Sequence, residues 1–151
     1  MKPGLRNDPV ALEPQVCRFC TGIAHRVIAA NGLAFAIRDA FPVTPLHSLV
    51  IPQRHVADFF GLTPEEREAC AELLHQLRND ILKEDAQVEG FNIGMNAGQV
   101  AGQTIFHSHI HLIPRRQGDV QNPRGGVRMV IPHKGHQMLD VCPFSQEPGA
   151  S

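Results

Sequence analysis

His107-Ser108-His109-Ile110-His111-Leu112-Ile113-Pro114 decides how this chain is read. Three histidines alternate with Ser108 and Ile110, and apolar Leu112 and Ile113 follow. Successive side chains of a β-strand point to opposite faces. The spacing therefore predicts a strand with three imidazoles on one face, about 6–7 Å apart. Imidazole serves as nucleophile, general acid or base, metal ligand and phosphate donor. A row of three polar rings is hard to explain as packing, because each buried ring needs a partner. The row is read as functional.

The residues around it narrow the chemistry. No acidic residue lies between Asn92 and Gln117. A catalytic metal on a histidine row usually draws on a nearby carboxylate as ligand or base. What surrounds the row is Asn96, Gln103, Thr104, Arg115 and Arg116, donors suited to phosphate oxygens. The Gly98/Gly102 loop before the row can also turn backbone N–H groups toward an anion. The local sequence favours phosphate over a catalytic metal.

Composition sets outer bounds. The chain has 151 residues, enough for one domain with a real core. A net charge of −1 argues against a nonspecific nucleic-acid coat or a membrane-surface role. No apolar run reaches the ~18–20 residues that span a bilayer. Met1-Lys2-Pro3-Gly4 lacks the apolar core of a secretory signal, so the expected compartment is cytoplasmic and disulfides are not expected. Trp and Tyr are absent, which leaves Phe and His for any stacking.

Residues 1–14 read as a loose arm. Arg26–Ala30 and Leu33–Ile37 flank Asn31-Gly32, a strong hairpin signal. A Pro-rich loop from Phe41 to Pro45 leads to a buried strand, His47–Ile51, ended by Pro52. Thr63-Pro64-Glu65-Glu66 offers an N-cap, a first-turn proline and a capping-box glutamate. Ala69, Cys70, Leu73, Leu74, Leu77, Ile81 and Leu82 recur at helical spacing, predicting a helix to about Asp85 with Cys70 as a core residue. Phe91–Asn96 is a further strand, Ala97–Thr104 a Gly-rich loop, Arg115–Gly126 an exposed loop, Val127–Ile131 a last strand or extended segment, and 143–151 a tail. Hairpin-like strands with one long helix predict an α+β fold with an antiparallel sheet.

Cys17-Arg18-Phe19-Cys20 is either a redox pair or half a zinc site. A redox motif is expected near a βαβ unit, and none is evident. Zinc needs two further N or S ligands. His55, one member of the 107–111 row, His133 and His136 are all available, and spacing alone does not choose.

These residues together resemble the histidine triad (HIT) superfamily. His107–Ile113 fits its His-φ-His-φ-His-φ-φ signature, with Ser108 in the first apolar place. Ala101-Gly102-Gln103-Thr104 looks like the family's phosphate-loop lead-in. Asp39 to Pro52 looks like its Asp-x-x-Pro…Pro-x-His-x-Leu-Val-Ile-Pro segment. Cys17-x-x-Cys20 stands where many bacterial members carry a zinc-binding pair. Pro123 to Arg128 resembles an extension of bacterial members.

The resemblance implies a HIT fold: about five antiparallel strands, one long helix and a short N-terminal helix, usually a homodimer. It divides the chain into an arm (1–14), a HIT domain (15–118) and a C-terminal extension (119–151). It implies attack at the α-phosphate of a nucleoside phosphoramidate, adenylylated amine or dinucleoside polyphosphate. His109 would form a nucleotidyl-histidine. His111 and His47 would touch phosphate oxygens or help the leaving group, and Asn96, Gln103 and Thr104 would bind the phosphate. Asp39 would hold the ribose hydroxyls. Structural zinc would sit on Cys17, Cys20, His55 and His107. His111, where the hexose-phosphate uridylyltransferase branch typically carries Gln, favours the hydrolase branches. The competing readings are a nucleotide-binding scaffold with little turnover and a metal-dependent hydrolase that uses the row as ligands. Neither a membrane nor a nucleic acid is expected as partner.

Overall fold

The structure, a computed structural model, describes residues 16–135. The arm (1–14), His136, Cys142 and the tail (143–151) lie outside these residues.

Five strands form one antiparallel sheet: β1 (Val27–Ala30), β2 (Ala34–Arg38), β3 (Ser48–Pro52), β4 (Val88–Gly94) and β5 (Ile110–Arg116), in the order β1-β2-β3-β5-β4. Helix α1 (Pro64–Glu84) covers one face. Ahead of β1 the only helical piece among the described residues is a single 3₁₀ turn, Ala24–Arg26. A short helix, α2 (Pro132–Gly135), ends the described chain.

The β1–β2 hairpin forms where expected, but its side chains, not its glycine, close it. Asn31 Oδ1 accepts from the N–H groups of Leu33 (3.2 Å) and Ala34 (2.9 Å), an Asx-type turn. Gly32 is not in the left-handed region. The Asn31 amide also donates to Ala69 O of α1 at 2.9 Å, which ties the hairpin to the helix.

Helix α1 begins as the sequence predicts. Thr63 caps it, and Thr63 and Glu66 complete a reciprocal capping box. Its buried stripe comprises Ala69, Cys70, Leu73, Leu77 and Ile81, with Leu74 and Leu82 packed at the margin. Burial pushes the Cys70 thiol up to about 11, so it behaves as a core residue. Glu66 is buried but paired with both Arg54 nitrogens at 2.7 Å, the paired state that buried charges require.

The period-2 alternation splits the sheet. Ala34, Ala36, Val50, Ile110 and Leu112 pack under α1. Phe35, Ile37, Leu49 and Ile51 face the other way and pack with Phe19. Leu49 pairs with His111, and Ile37 with Leu49. His111 therefore stands on the face away from the helix.

Three expectations are corrected. β5 begins only at Ile110, so His107 and His109 precede the strand. Ser108 N–H donates to Val56 O at 2.7 Å, outside the ladder. Arg115 and Arg116 are the last residues of β5, not an exposed loop. Arg115 is bound to Asp119 and Asn92, and Arg116 to Asp85. They lie at the far end of the strand from His109 and are committed to carboxylates and an amide. Gly126–Val130 is a 3₁₀ turn rather than a strand.

Among non-glycine residues described, only Leu46, immediately before His47, has φ in the left-handed region, at 68°. Its carbonyl is held by Arg38 Nη1 (3.2 Å) and Ser48 Oγ (2.8 Å). An L-residue there costs about 1–2 kcal/mol, offset in part because Leu46 packs against the core. Truncation at this site should reverse the usual order: Leu46→Gly should be more stable than Leu46→Ala by about 1 kcal/mol in denaturant titration. Alanine proving the more stable of the two would show that this backbone is relaxed.

Candidate functional site

The three histidines are not equivalent. His107 is fully buried, and its ring turns to the N-terminal segment. Its Nδ1 lies 3.4 Å from Cys17 Sγ and 3.5 Å from Cys20 Sγ, while Cys20 Sγ is 3.2 Å from His55 Nδ1. The four donor atoms lie within 4.8 Å of one another. A tetrahedral zinc with ordinary bond lengths separates a sulfur from a nitrogen by about 3.5 Å. The cluster fits that ion in donor type, number and spacing. His107 Nε2 is 2.8 Å from Pro52 O. A carbonyl only accepts, so Nε2 carries the proton and Nδ1 offers its lone pair, the outer-sphere arrangement of a metal-ligating histidine. Burial holds the His107 pKa below the usual imidazole value, with the Pro52 hydrogen bond opposing. His133 is exposed on α2, away from these four.

His109 is held by the same residue's backbone. Its Nδ1 lies 2.7 Å from His107 O. The proton is therefore on Nδ1, and the lone pair of Nε2 is left available. Phe19 packs edge-on against the His109 ring, centroids 5.3 Å apart.

His111 belongs to a third arrangement. Val43 N–H donates to His47 Nδ1 (3.3 Å), so the His47 proton sits on Nε2, which is 3.0 Å from His111 Nδ1. His111 Nδ1 accepts, and its own proton is on Nε2. Burial, with the neighbouring His109 and His47, pushes the His111 pKa down to about 4, and Asp39 opposes. Burial also lowers His47, again against Asp39. Asp39 Oδ2 is 3.6 Å from His47 Nε2 and 3.9 Å from His111 Nδ1. The scarcity of acids around the row is thus local in sequence only, because the end of β2 delivers a carboxylate in space. Asp39, His47 and His111 are grouped closely enough for a metal. The Val43 N–H opposes that use: a metal on His47 Nε2 needs a proton on Nδ1, where the amide already points.

These groups line a cleft of about 750 Å³. Phe19, Ile23, Ile37, Leu49 and Ile105 form an apolar wall; Asp39, Thr104, His109 and His111 belong to its polar part, together with Arg18 and Arg26. The sequence reading missed this wall. Its signal was the alternation of Phe35/Ile37 and Leu49/Ile51, and the phenylalanine inside the cysteine pair. Asn96 and Gln103 stand back from the cleft. Gln103 is buried and spends its amide on backbone groups: it donates to Ala57 O (2.5 Å) and Ile105 O (3.1 Å) and accepts from Gly98 N–H (2.8 Å). Asn96 reaches only Gly102 O, at 3.5 Å. The Ser108 hydroxyl is buried with no hydrogen-bond partner.

The family profile of the HIT domain matches residues 21–118, and the chain belongs to the HIT family. An uncharacterised HIT-like protein of Mycoplasma genitalium is 38% identical over 103 residues, 66% of this chain and 72% of that protein. A protein of Mycobacterium tuberculosis named AP-4-A phosphorylase is 35% identical over 95 residues, 62% of this chain but 48% of its own length. The crystal structure of a Zn-bound histidine triad family protein from Mycobacterium smegmatis superposes with a TM-score of 0.64 at 32% identity, covering 70% of this chain and 79% of that one. No helix of the described residues is long and apolar enough to cross a membrane.

The imidazole pKa values set a pH dependence of stability. The folded chain keeps His111 neutral to about 4, while the unfolded chain protonates it near 6.5. Between these values the unfolded state binds more protons, so stability falls as pH drops from about 6.5 toward 4. Denaturant midpoints of the chelated protein at pH 7.5 and 4.5 should show this loss, and His111→Gln should reduce it. An identical pH slope in the variant would exclude His111 as its source.

Proposed function

We propose that this chain transfers a nucleotidyl group from the α-phosphate of a nucleotide conjugate to His109, and then to water. The observation that carries the reading is the Nδ1–H of His109 fixed on His107 O at 2.7 Å. It leaves Nε2 as a neutral nucleophile facing the cleft, free of the repulsion that a hydroxide meets at a phosphate anion.

His109 Nε2 attacks phosphorus, the P–N bond forms, and the bond to the leaving atom breaks. That atom departs with a proton drawn from solvent. Water then attacks phosphorus and gives a proton back to solvent, the P–N bond breaks, and His109 is restored. His111 Nε2–H and the Thr104 hydroxyl donate to nonbridging oxygens, where charge is held during transfer. His47 orients His111 through the 3.0 Å contact. Asp39 takes the ribose hydroxyls, and the apolar wall takes the base. Gln103 shapes the phosphate loop, and Asn96 completes its rim. The substrate class is a nucleoside phosphoramidate, adenylylated amine or dinucleoside polyphosphate. The relative named AP-4-A phosphorylase supports a nucleotide substrate. The same reading has the chain act as a cytoplasmic homodimer.

Trapping with adenylyl substrates followed by acid-free mass spectrometry should find adenylate on His109. His109→Ala should lose at least about 10³-fold in turnover, as expected for a covalent nucleophile. Undiminished turnover in that variant would remove the mechanism.

Zinc, when held by Cys17, Cys20, His55 and His107, supplies a closed structural tie between the N-terminal segment and the residues ahead of β5. Metal analysis should find about one zinc per chain, lost in Cys17→Ser. A fully folded wild-type chain without zinc would end this assignment.

A further inference from the structure

The Cys17–Cys20 turn carries a chemistry that nucleotidyl transfer leaves unused. Cys20 N–H donates to Cys17 O at 3.0 Å. Such a turn brings its end Cα atoms within about 7 Å, near the roughly 4.4–6.8 Å that a disulfide spans. The two Sγ atoms already lie within 4.8 Å of one another. Cys20 is exposed, and Cys17 is half-buried and lines the cleft, so a small oxidant reaches both. Cys70, sealed on the buried face of α1, offers no such access.

Phe19 stands between the two cysteines. It is buried, with its ring edge-on to His109 at 5.3 Å and to His107 at 5.9 Å. Thiolates sharing a tetrahedral metal sit about 3.8 Å apart, whereas disulfide sulfurs sit about 2.05 Å apart. Closing the turn by that difference pulls on the residue inside it. It also removes both thiolates as metal ligands, and with them a metal link to His107 Nδ1, whose residue supplies the carbonyl that holds His109.

We propose that Cys17 and Cys20 form a reversible disulfide that excludes metal, and that this oxidation displaces Phe19 and the His107 carbonyl from His109 and so lowers turnover. Its consequence for turnover rests on the nucleotidyl-transfer reading; the disulfide does not. The oxidant is hydrogen peroxide. One cysteine thiolate attacks a peroxide oxygen, the O–O bond breaks, and the hydroxide released takes a proton to become water. The second thiolate attacks the sulfenic sulfur so formed, the S–S bond forms, and the S–O bond breaks. The second hydroxide takes another proton. Two electrons pass from sulfur to peroxide, and a metal held by the two thiolates is set free.

The test uses the full chain with Cys70→Ala and Cys142→Ser, loaded with zinc and treated with hydrogen peroxide. The mass should fall by two hydrogen atoms, peptide mapping should link Cys17 to Cys20, and zinc should be released. The His109 side-chain ¹⁵N signals should shift. Turnover should drop by at least about tenfold, since a misplacement of about 1 Å at a reacting centre costs up to ~10²-fold. Dithiothreitol with zinc should reverse all of these. Oxidation of Cys20 to a sulfinic acid without a Cys17–Cys20 bond would overturn the proposal, and so would a disulfide that leaves the His109 signals in place. If the disulfide forms and those signals move while the reduced chain turns over no adenylyl substrate, the redox site stands and nucleotidyl transfer falls. Normal turnover with no disulfide under peroxide removes the redox site and leaves nucleotidyl transfer standing.

Discussion

The hydrogen bond from His109 Nδ1–H to His107 O, 2.7 Å long and buried, is the contact on which the arrangement of the site depends. It fixes which nitrogen of His109 holds the proton and which holds the lone pair. It also makes one residue serve two centres. The His107 ring points to the Cys17/Cys20/His55 cluster while its carbonyl points to His109. The backbone just ahead of β5 is pinned by Ser108 N–H on Val56 O, so ring and carbonyl cannot be repositioned independently. A strand with three rings on one face would have offered no such division. Pairing in β5 starts only at Ile110, so the two residues ahead of it lie outside the ladder, and His107 is turned sideways.

Much of this was legible in the sequence where the physics is local. The capping box at Thr63/Glu66, the helical stripe through Leu73, Leu77 and Ile81, and the β1–β2 hairpin depend on neighbours a few residues away, and they form as read. The family was legible too, because the histidine signature and the Asp39–Pro52 segment recur as fixed patterns. What escaped were outcomes of long-range competition. Arg115 and Arg116 looked like free phosphate donors, but Asp119 and Asp85 claim them. Gln103 looked like a ligand-facing amide, but three backbone groups on its own loop and at Ala57 and Gly98 occupy it. Neither partner set is visible as a sequence interval. The apolar wall was missed for a related reason: a strand's alternation gives two faces, and only the packing of α1 decides which one is left for the cleft.

The absence of acids between Asn92 and Gln117 favoured phosphate, but that absence does not hold in space. Asp39 is within 4 Å of both His47 and His111, so the site is not short of carboxylate. What disfavours a metal there is direction. Val43 N–H, His47 and His111 form a chain in which each nitrogen already has its proton assigned, ending in a donor at His111 Nε2. Donors at the end of such a chain suit anionic oxygens and repel cations. The strained backbone at Leu46 belongs to the same device: its φ of 68° turns the chain sharply enough to bring Val43 back over His47.

Neutrality of this chain has an electrostatic consequence. Burial holds His111 down to about 4, and the adjacent imidazoles push in the same direction. At neutral pH the His47–His111 pair therefore presents dipoles to the cleft, and the fixed cations of its lining are Arg18 and Arg26. A dipolar donor gains less from a phosphate anion than a cation would, but it also avoids the desolvation cost of a buried charge. When an anion docks within hydrogen-bond reach, it acts on His111 as Asp39 does, favouring the protonated form. In the proposed reaction, His111 then takes up positive character as charge gathers on the phosphate oxygens, and loses it when the product leaves. Such a group contributes most where charge is greatest, which is the condition for stabilising a transition state more than a bound substrate. His109, with its lone pair free and its other nitrogen tied to a carbonyl, does not share that burden. On the proposed reading, the inequality of the three histidines separates metal binding, bond formation and charge stabilisation among side chains spaced two residues apart.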